Sequence, residues 1–377
     1  MAGRLTSHAK EDPVKRGKID KPFLILVLLL LSIGLAMLYS ASSAQSLYDT
    51  GYRTTVYYFS RQAAFAVLGL GAMFLFSRIP AQFWRSIAWG VYWVSILLLL
   101  LVLVMGEKVN GAQRWISIAG IRFQPSEVAK FALILLFSKL AADFGTRAGE
   151  FKYGVLGYGG AMLGILVPLA LERHLSAIML LGLVGVIMMF ISGTRMKFLG
   201  MAAAAAGVFM VVYVTLLGYA GDRITAWIDP ASDPANTGYQ ILQSLYAIGS
   251  GGLFGLGFGK SRQKYLYLPF QYNDYIFAVV CEELGLFGAV CIMALFSLVL
   301  LRGFSIARKA RDTFSTMLCA GLTTLIGVQT VLNLFVVTNL LPSTGVALPF
   351  FSYGGTALAV MLGEMGIILS ISRNKEE

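Results

Sequence analysis

The sequence has few cysteines, few histidines and few charged side chains. Its 377 residues include 3 cysteines and 2 histidines, and Cys281, Cys291 and Cys319 all fall in apolar stretches without Cys-x-x-Cys spacing. These numbers exclude a disulfide framework and a zinc site. Charged residues form 13% of the chain, whereas a soluble domain has about 25%. The chain is therefore too poor in charge to be a soluble protein.

Signatures of several common classes are also missing. The sequence has no phosphate-binding P-loop, no Gly-x-Ser-x-Gly nucleophile motif and no cluster of metal ligands. It shows no internal repeat, which argues weakly against a carrier built from inverted halves. No cofactor is evident from the sequence, and a requirement for a divalent cation such as Mg²⁺ or Mn²⁺ is left open.

Long apolar stretches dominate the chain, and 57% of its residues are hydrophobic. A membrane-spanning helix needs about 20 mainly apolar residues. The sequence therefore predicts an all-α polytopic membrane protein, with about ten transmembrane helices in one bundle across residues 22–373. The first span lacks a small-residue cleavage site, so we expect it to be retained. The apolar windows centre near Leu30, Leu68, Leu98, Leu135, Gly164, Leu183, Phe209, Ile292, Gln329 and Gly363.

Basic residues are distributed unevenly among the predicted connections. With the amino terminus inside, the cytoplasmic segments hold 19 of the 30 Lys and Arg residues, and the short outer loops hold 5. Positive charge marks the cytoplasmic side. Both terminal segments, residues 1–21 and 374–377, are therefore predicted to be cytoplasmic. The net charge of +11 reflects this orientation, and nucleic acid is not expected as a partner.

One connection is long. Residues 219–273 are predicted to form an extracytoplasmic loop between helices 7 and 8, and they include Arg262, Lys264 and several glycines. A long ordered loop is more often functional than idle, although a flexible linker is the alternative. Its middle part, 239–248, has apolar residues at helical spacing and is predicted to lie along the membrane surface.

Five acidic residues lie in or at the ends of predicted spans: Glu127, Asp274, Glu282, Glu283 and Glu364. A charge at bilayer depth costs about 2.5–3.5 kcal/mol on insertion scales, so an unpaired one indicates a role. Asp274 opens the eighth predicted helix on the outer side. It is either a helix cap, worth about 1 kcal/mol, or a partly desolvated general base whose pKa is raised towards the working pH. Both explanations stay open at this point.

Cationic residues accompany these acids on the predicted outer face. Glu127 and Lys130 are three residues apart on one helix face, where they form either a structural ion pair or part of a site. Arg114, next to Trp115, suits the binding of a pyrophosphate by paired hydrogen bonds, although loop arginines are usually just solvated. Arg61 either snorkels to the membrane interface or faces a site.

The other acids are harder to assign. Glu282 and Glu283 lie two turns beyond Asp274, and they either pair with a basic residue of another helix or take part in chemistry. Glu364 has no partner that the sequence identifies. Carboxylates and cations gathered beside a lipid phase suit a substrate with an anionic head group and an apolar tail.

Eight segments, read in order, carry a family likeness. They are Tyr39-Ser40-Ala41-Ser42, Arg61-Gln62, Asn110-Gly111-Ala112-Gln113-Arg114-Trp115-Ile116, Phe123-Gln124-Pro125-Ser126-Glu127-Val128-Ala129-Lys130, the run from Gly238 through Gln243-Ser244 to Gly259, Ser261-Arg262-Gln263-Lys264, Asp274-Tyr275-Ile276-Phe277-Ala278 with Glu282-Glu283-Leu284-Gly285, and Leu341-Pro342 through Gly345 to Gly355. In this pattern the chain resembles the SEDS family (shape, elongation, division and sporulation), which comprises FtsW, RodA and SpoVE. The likeness covers about residues 22–373. The runs 243–246 and 261–264 look closer to FtsW and SpoVE than to RodA.

The resemblance implies a peptidoglycan glycosyltransferase that polymerises the lipid-linked disaccharide lipid II on the outer face of the bacterial cytoplasmic membrane, with the division septum as its expected location. The family's essential acid falls on Asp274. By this hypothesis its carboxylate takes the proton from the acceptor sugar's 4-hydroxyl, and undecaprenyl pyrophosphate leaves with inversion. The expected partners are lipid II, the growing lipid-linked glycan strand, a class B penicillin-binding protein acting as transpeptidase, and other divisome or elongasome membrane proteins.

Further roles are carried over from matching positions. The family's helix-four pair falls on Glu127 and Lys130, its basic loop residue on Arg114 and its second-helix arginine on Arg61. Predicted contacts to substrate or pyrophosphate are therefore Arg61, Arg114, Glu127, Lys130, Arg262 and Lys264, with Glu282, Glu283 and His174 in supporting roles.

Two positions depart from the family pattern. Many members carry an acid in a Gln-Pro-Asp-x-Gly segment between helices five and six, where this chain has Glu172-Arg173-His174-Leu175-Ser176. No second catalytic acid is assigned there, and His174 is expected to hydrogen-bond in its place. The family usually shows Leu-Pro-Glu before the essential acid, whereas Phe270 follows Leu268-Pro269 here.

Two other functions stay open. A lipid II flippase would use the same charges to line a path across the membrane; Glu364 and the Glu282-Glu283 pair favour it slightly, whereas the elaborate outer loop argues against it. The second alternative function is a non-catalytic scaffold that recruits the transpeptidase.

Overall fold

The structure, a computed structural model, describes residues 17–109, 112–118, 121–217 and 221–373. The predicted carboxyl-terminal segment 374–377, most of the predicted tail 1–21, and Asn110 and Gly111 of the family-like outer loop lie outside the described residues.

Within these ranges the chain is mostly helical, and long helices follow one another with short connections. The helices are α1 Lys21–Asp49, α2 Tyr57–Phe76, α3 Ala81–Met105, α4 Pro125–Phe144, α5 Tyr158–Leu171, α6 Leu175–Ile191, α7 Met196–Leu217, α8 Gly221–Ile228, α9 Tyr239–Gly251, α10 Ile276–Arg308, α11 Thr313–Val337 and α12 Gly355–Ser372. A 3₁₀ turn at Gly145–Gly149 and a π-helical turn at Phe151–Gly157 lead into α5.

Every apolar window predicted from the sequence falls on one of these helices. Among the described residues, 7 helices are long and apolar enough to cross a membrane, and Leu175–Ile191 is a shorter apolar helix. The chain is therefore a multi-pass membrane protein, while the total of about ten spans stays a prediction. Helix α9 confirms the helical spacing predicted for residues 239–248.

The prediction of an all-α fold was wrong in one segment. Between α3 and α4 the chain forms a three-stranded antiparallel sheet of β1 Glu107–Val109, β2 Ala112–Ile118 and β3 Ile121–Phe123, in the order β1-β2-β3. Backbone polar groups in a connection need partners as much as those in a helix do. The strands supply these partners to each other, and they fix the position of Arg114 in β2.

Helices α2 and α12 pack closely because glycines remove side chains from their contact. A Cβ atom on Gly366 would lie 2.3 Å from the carbonyl oxygen of Met73, and one on Gly69 would lie 2.7 Å from Leu362 Cδ1. Small residues of this kind let helix backbones approach in a membrane. The pair forms one wall of the cavity described below.

Helix α10 is interrupted at Gly285, whose φ of 66° and ψ of −170° are non-helical. The glycine-rich segment after α9 enters the break. Leu256 N donates to Glu282 O at 2.9 Å and Gly257 N to Glu283 O at 3.0 Å, while Leu286 N donates to Gly252 O at 2.9 Å. These bonds satisfy backbone groups that the break frees, which a helix in a membrane requires.

Candidate functional site

A cavity of about 1120 Å³ opens at the predicted outer end of the helices. Its walls come from α2, from β2 and the start of α4, from the residues just before α10, and from the connection between α11 and α12 with the first half of α12. Segments far apart in sequence thus meet around one space. Its size is slightly above the usual range for small-molecule sites, about 300–1000 Å³.

The cavity gathers most of the predicted site residues. Its lining residues include Asp274, Arg61, Arg114, Glu127, Lys130 and His174, and also Glu364. Glu364 comes within electrostatic range of the opposite charge of Lys130 and the like charge of Glu127, so Lys130 is the neighbouring cation that the sequence left unnamed. Arg262, Lys264, Glu282 and Glu283 are not among the described residues that line this cavity.

Asp274 is held by its backbone and not by a capping bond. Asn333, fully buried in α11, donates from Nδ2 to the carbonyl oxygen of Asp274 at 2.7 Å and to that of Val346 at 2.7 Å. The N-cap of α10 is Tyr275, and no side-chain capping bond is made there. The carboxylate instead accepts a hydrogen bond from its own backbone N–H. The capping explanation is therefore not supported by the structure.

The environment of the Asp274 side chain favours a base. Burial raises the pKa of Asp274 to about 6, although a hydrogen bond from its own backbone and the charge of Arg223 act in the opposite direction. The residue stays half-buried and faces the cavity. A carboxylate with a pKa near the working pH is both ionised at neutral pH and basic enough to accept a proton.

Cations lie along another wall of the cavity. Lys130 Nζ lies 2.6 Å from Glu127 Oε2, and both side chains are largely buried. Arg114 donates from Nη2 to the carbonyl oxygen of Arg173 at 2.6 Å, which ties β2 to the connection between α5 and α6. Arg61 stands with its guanidinium 4.7 Å from the centre of the Tyr57 ring. Fixed cations in a partly desolvated site stabilise negative charge more strongly than solvated ones.

The connection between α5 and α6 places two buried polar residues beside these cations. Burial, with the charges of Arg114 and Lys130, holds the pKa of His174 well below its usual value. Burial raises the pKa of Glu172 to about 8, against the charge of Arg114. At neutral pH the imidazole is therefore uncharged and the carboxyl group is protonated. Gln124 Nε2 lies 3.5 Å from His174 Nε2 and is positioned to donate to it, so the hydrogen bond expected for His174 has a partner at the cavity wall.

Glu282 and Glu283 form a separate buried cluster with the loop that enters α10. Glu283 accepts from Ser40 Oγ at 2.6 Å and from Gly259 N at 2.9 Å, and Lys264 Nζ lies 3.3 Å from its Oε1. Glu282 accepts from Arg262 N at 3.0 Å. Lys264 is thus the basic partner of Glu283, and it comes from the loop and not from another helix. The side chain of Arg262 is exposed at a separate surface depression of about 720 Å³.

Among the residues that the structure describes, no group of three or more His, Cys, Asp or Glu side chains is arranged to hold a metal ion. The divalent cation left open by the sequence stays a prediction.

Two amide side chains of α11 position the site, and neither was predicted from the sequence. Gln329 Nε2 donates to Ala347 O at 2.9 Å, and Asn333 Nδ2 donates to Val346 O. Helix α11 therefore holds the segment beside Asp274 through the backbone carbonyls of that segment. Two amides four residues apart in an apolar helix were the available signal, because polar groups at membrane depth are costly unless they are bonded.

On the hypothesis that Asp274 is a general base, we expect Asn333→Ala to reduce turnover by about 10²-fold, because a displacement of about 1 Å of a catalytic group has this effect. Steady-state kinetics would show a lower kcat with a smaller change in KM. Thr338→Ala, at the exposed end of the same helix, is the control and should keep both constants. A normal kcat for Asn333→Ala would contradict the positioning role.

These features define a multi-pass membrane protein with a charged cavity at one end of its helices. The sequence model of the Cell cycle protein family, which covers FtsW, RodA and SpoVE, matches residues 21–377. The chain therefore belongs to this family, as its sequence motifs predicted.

Relatives cover nearly the whole chain. The probable peptidoglycan glycosyltransferase FtsW of Trichlorobacter lovleyi is 38% identical over 362 residues, which are 96% of this chain and 94% of the relative. The stage V sporulation protein E of Bacillus subtilis is 36% identical over 364 residues, or 95% and 98% of the two chains.

Solved structures share the fold. A chain from a peptidoglycan synthase complex, described as coordinating polymerization and crosslinking, superposes with a TM-score of 0.78 at 28% identity and covers 94% of this chain and 98% of its own. The rod shape determining protein RodA of Thermus thermophilus superposes with a TM-score of 0.69 at 27% identity, covering 95% and 98%.

Proposed function

We propose that this protein is a peptidoglycan glycosyltransferase that polymerises lipid II on the outer face of the bacterial cytoplasmic membrane, in cell division at the septum. One observation carries the proposal: Asp274, a half-buried carboxylate with a raised pKa, faces a cavity that also contains fixed cations. The names of the relatives support the same activity.

In the proposed reaction Asp274 accepts the proton of the acceptor sugar's 4-hydroxyl as the oxygen attacks the anomeric carbon of the lipid-linked strand. The bond to undecaprenyl pyrophosphate breaks, and the configuration at that carbon inverts. The proton ends on the carboxylate and the negative charge on the departing pyrophosphate. Arg114, Lys130 and Arg61 stabilise that charge, and Glu127 holds Lys130 in place at 2.6 Å.

The proposed partner is a class B penicillin-binding protein, which cross-links the product. The similarity to a chain from a peptidoglycan synthase complex supports such an assembly. Other divisome membrane proteins are proposed to join it. Two predicted site residues lie outside the cavity. Arg262 is exposed on the loop surface, and Lys264 forms a buried pair with Glu283. We therefore propose that the Glu282–Glu283 cluster shapes the loop and does not contact the reacting sugars.

The test is polymerisation by the purified protein together with its transpeptidase partner. Lipid II is supplied in detergent and the products are separated on a gel. Glycan polymer is expected, and its length should not depend on transpeptidase activity. No polymer would contradict the proposal.

Lipid II transport is the second candidate, because Glu364 extends the charged lining along α12 next to Lys130 and Glu127. Transfer of labelled lipid II across a vesicle bilayer measures it directly. Transfer without polymerisation would favour the flippase. If the protein shows neither transfer nor polymerisation, the non-catalytic scaffold is the function that remains.

A further inference from the structure

Four tyrosines form one wall of the cavity. Tyr57 and Tyr58 begin α2, Tyr272 lies two residues before Asp274, and Tyr353 lies just before α12. We refer to them as the tyrosine cluster. All four are half-buried and line the cavity, so the cluster forms part of its accessible surface and is not part of the buried core.

The rings touch each other in a fixed arrangement. The centre of the Tyr58 ring lies 4.5 Å from that of Tyr272 and 5.0 Å from that of Tyr353, and the Tyr57 ring lies 5.2 Å from that of Tyr58. The Tyr58–Tyr353 and Tyr57–Tyr58 contacts are edge-to-face at 83°. The Tyr58 and Tyr272 rings are tilted at 31°, and the Arg61 guanidinium lies over one face of Tyr57. An edge-to-face contact covers one face of one ring only, so the faces not covered by these contacts can receive a ligand.

The backbone holds the cluster rigidly. Tyr353 N donates to Tyr272 O at 2.9 Å. Gln62 of α2 is fully buried and bonds to the residues on both sides of Tyr353. Its Nε2 donates to Ser352 O at 3.1 Å, and its Oε1 accepts from Gly354 N at 3.1 Å. Three distant segments are therefore joined next to Asp274. A surface that is already ordered loses little conformational freedom when it binds a ligand.

The cavity has three chemically different walls. Arg114 and Lys130 form a cationic wall, and Leu68, Val360 and Met361 of α2 and α12 form an aliphatic one. The tyrosine cluster differs from both, because its rings are flat and apolar while their hydroxyls are polar. Tyr272 Oη donates to Tyr58 Oη at 3.4 Å, and Tyr58 Oη donates to the Asp49 carboxylate.

We propose that the tyrosine cluster is a carbohydrate subsite that binds the pyranose rings of the lipid-linked glycan beside Asp274. A pyranose ring has an apolar C–H face that stacks on an aromatic ring, and its hydroxyls match phenol groups at the edge. The cationic wall then suits the pyrophosphate and the aliphatic wall the polyprenyl tail. This assignment rests on the proposed function, whose substrate contains all three parts.

The test measures binding in the Asp274→Asn background, so that it does not depend on turnover. The probes are an undecaprenyl pyrophosphate-linked tetrasaccharide and undecaprenyl pyrophosphate without sugars. Tyr57→Leu and Tyr353→Leu should each raise the Kd of the tetrasaccharide about 3–10-fold more than that of the sugar-free probe. The sugar-free probe reports any displacement of Arg61, which contacts both rings. The matched Tyr→Phe variants, which keep the ring face, should retain most of the affinity.

Controls separate binding from folding. Tyr246→Leu, at an exposed tyrosine of α9 outside the cavity, should change neither Kd. Thermal unfolding in detergent shows whether each variant is folded. Tyr57 is half-buried in the first turn of α2, so Tyr57→Leu supplies the binding measurement if Tyr353→Leu does not fold.

Two outcomes would overturn the subsite. One is an unchanged Kd of the tetrasaccharide in the Leu variants. The other is an equal loss for both probes, which would mean that the rings act on the lipid pyrophosphate through Arg61 and not on the sugars. The proposed function is tested separately, by whether the unmodified protein makes polymer.

Discussion

Replacement of Asp274 by Asn is expected to lower the rate of lipid II polymerisation by about 10²–10⁴-fold, the usual contribution of a general base. An amide has nearly the same shape as the carboxylate but accepts no proton at neutral pH. The Asn333 bond goes to the backbone carbonyl of Asp274, so the substitution leaves that support in place. The rate is measured from the amount of polymer formed over time by the purified protein.

The same variant also separates catalysis from a structural role. Burial raises the pKa of Asp274 from 3.8 to about 6, so the folded state favours the protonated form. The contribution of this group to stability therefore falls as the pH rises between these two values, and the full cost is present at pH 7. Asp274→Asn should therefore be at least as stable as the unmodified protein at pH 7. Asp229→Asn, at an exposed acid of the same predicted loop, is the control and should polymerise normally. A less stable Asp274→Asn protein with a normal rate would indicate a structural carboxylate.

Replacement of Glu283 by Ala is expected to cost about 3–5 kcal/mol of stability, because it leaves a buried cation without its counter-charge. The side chains of Glu283 and Lys264 are 0% and 4% exposed. Glu283 also accepts hydrogen bonds from Ser40 and from the amides of Gly259 and Ser261. The loss should appear as a lower thermal unfolding temperature in detergent.

Two comparisons establish the cause of that loss. Glu150→Ala removes an exposed carboxylate and should change stability by less than about 0.5 kcal/mol. Adding Lys264→Met to Glu283→Ala should restore part of the stability, because the double variant no longer buries an unpaired charge. If the double variant is as unstable as the two single losses combined, the ion pair is not the reason.

The sequence was sufficient for features that depend on composition and spacing. Apolar windows located the long helices, because a helix in lipid must be apolar over about 20 residues. The cost of charge at membrane depth is a property of the sequence alone, and it distinguished Asp274, Lys130 and Glu364 from the other charged residues. The family motifs then ordered these residues into one hypothesis, and the structure places them around one cavity.

Features that depend on distant contacts were beyond the sequence. Lys264 and Glu283 are 19 residues apart, and their pairing needs the glycine-rich loop to enter the break at Gly285. Asn333 lies 59 residues from Asp274 along the chain, so its role depends on how α11 packs. The β-strands between residues 107 and 123 were missed because two of the three have only 3 residues and the segment around them reads as a loop.

The most direct measurement of the central claim is the pH dependence of kcat/KM for polymerisation. Asp274 acts as a base only when it is ionised, so the rate should rise with pH through an apparent pKa of about 6 and fall about tenfold per pH unit below it. His174→Gln should keep this acidic limb, because the pKa of His174 lies well below its usual value, and Asp274→Asn should lose it. A profile that is flat from about pH 5 to 8, or an acidic limb of the same pKa in Asp274→Asn, would contradict the assignment of Asp274 as the base.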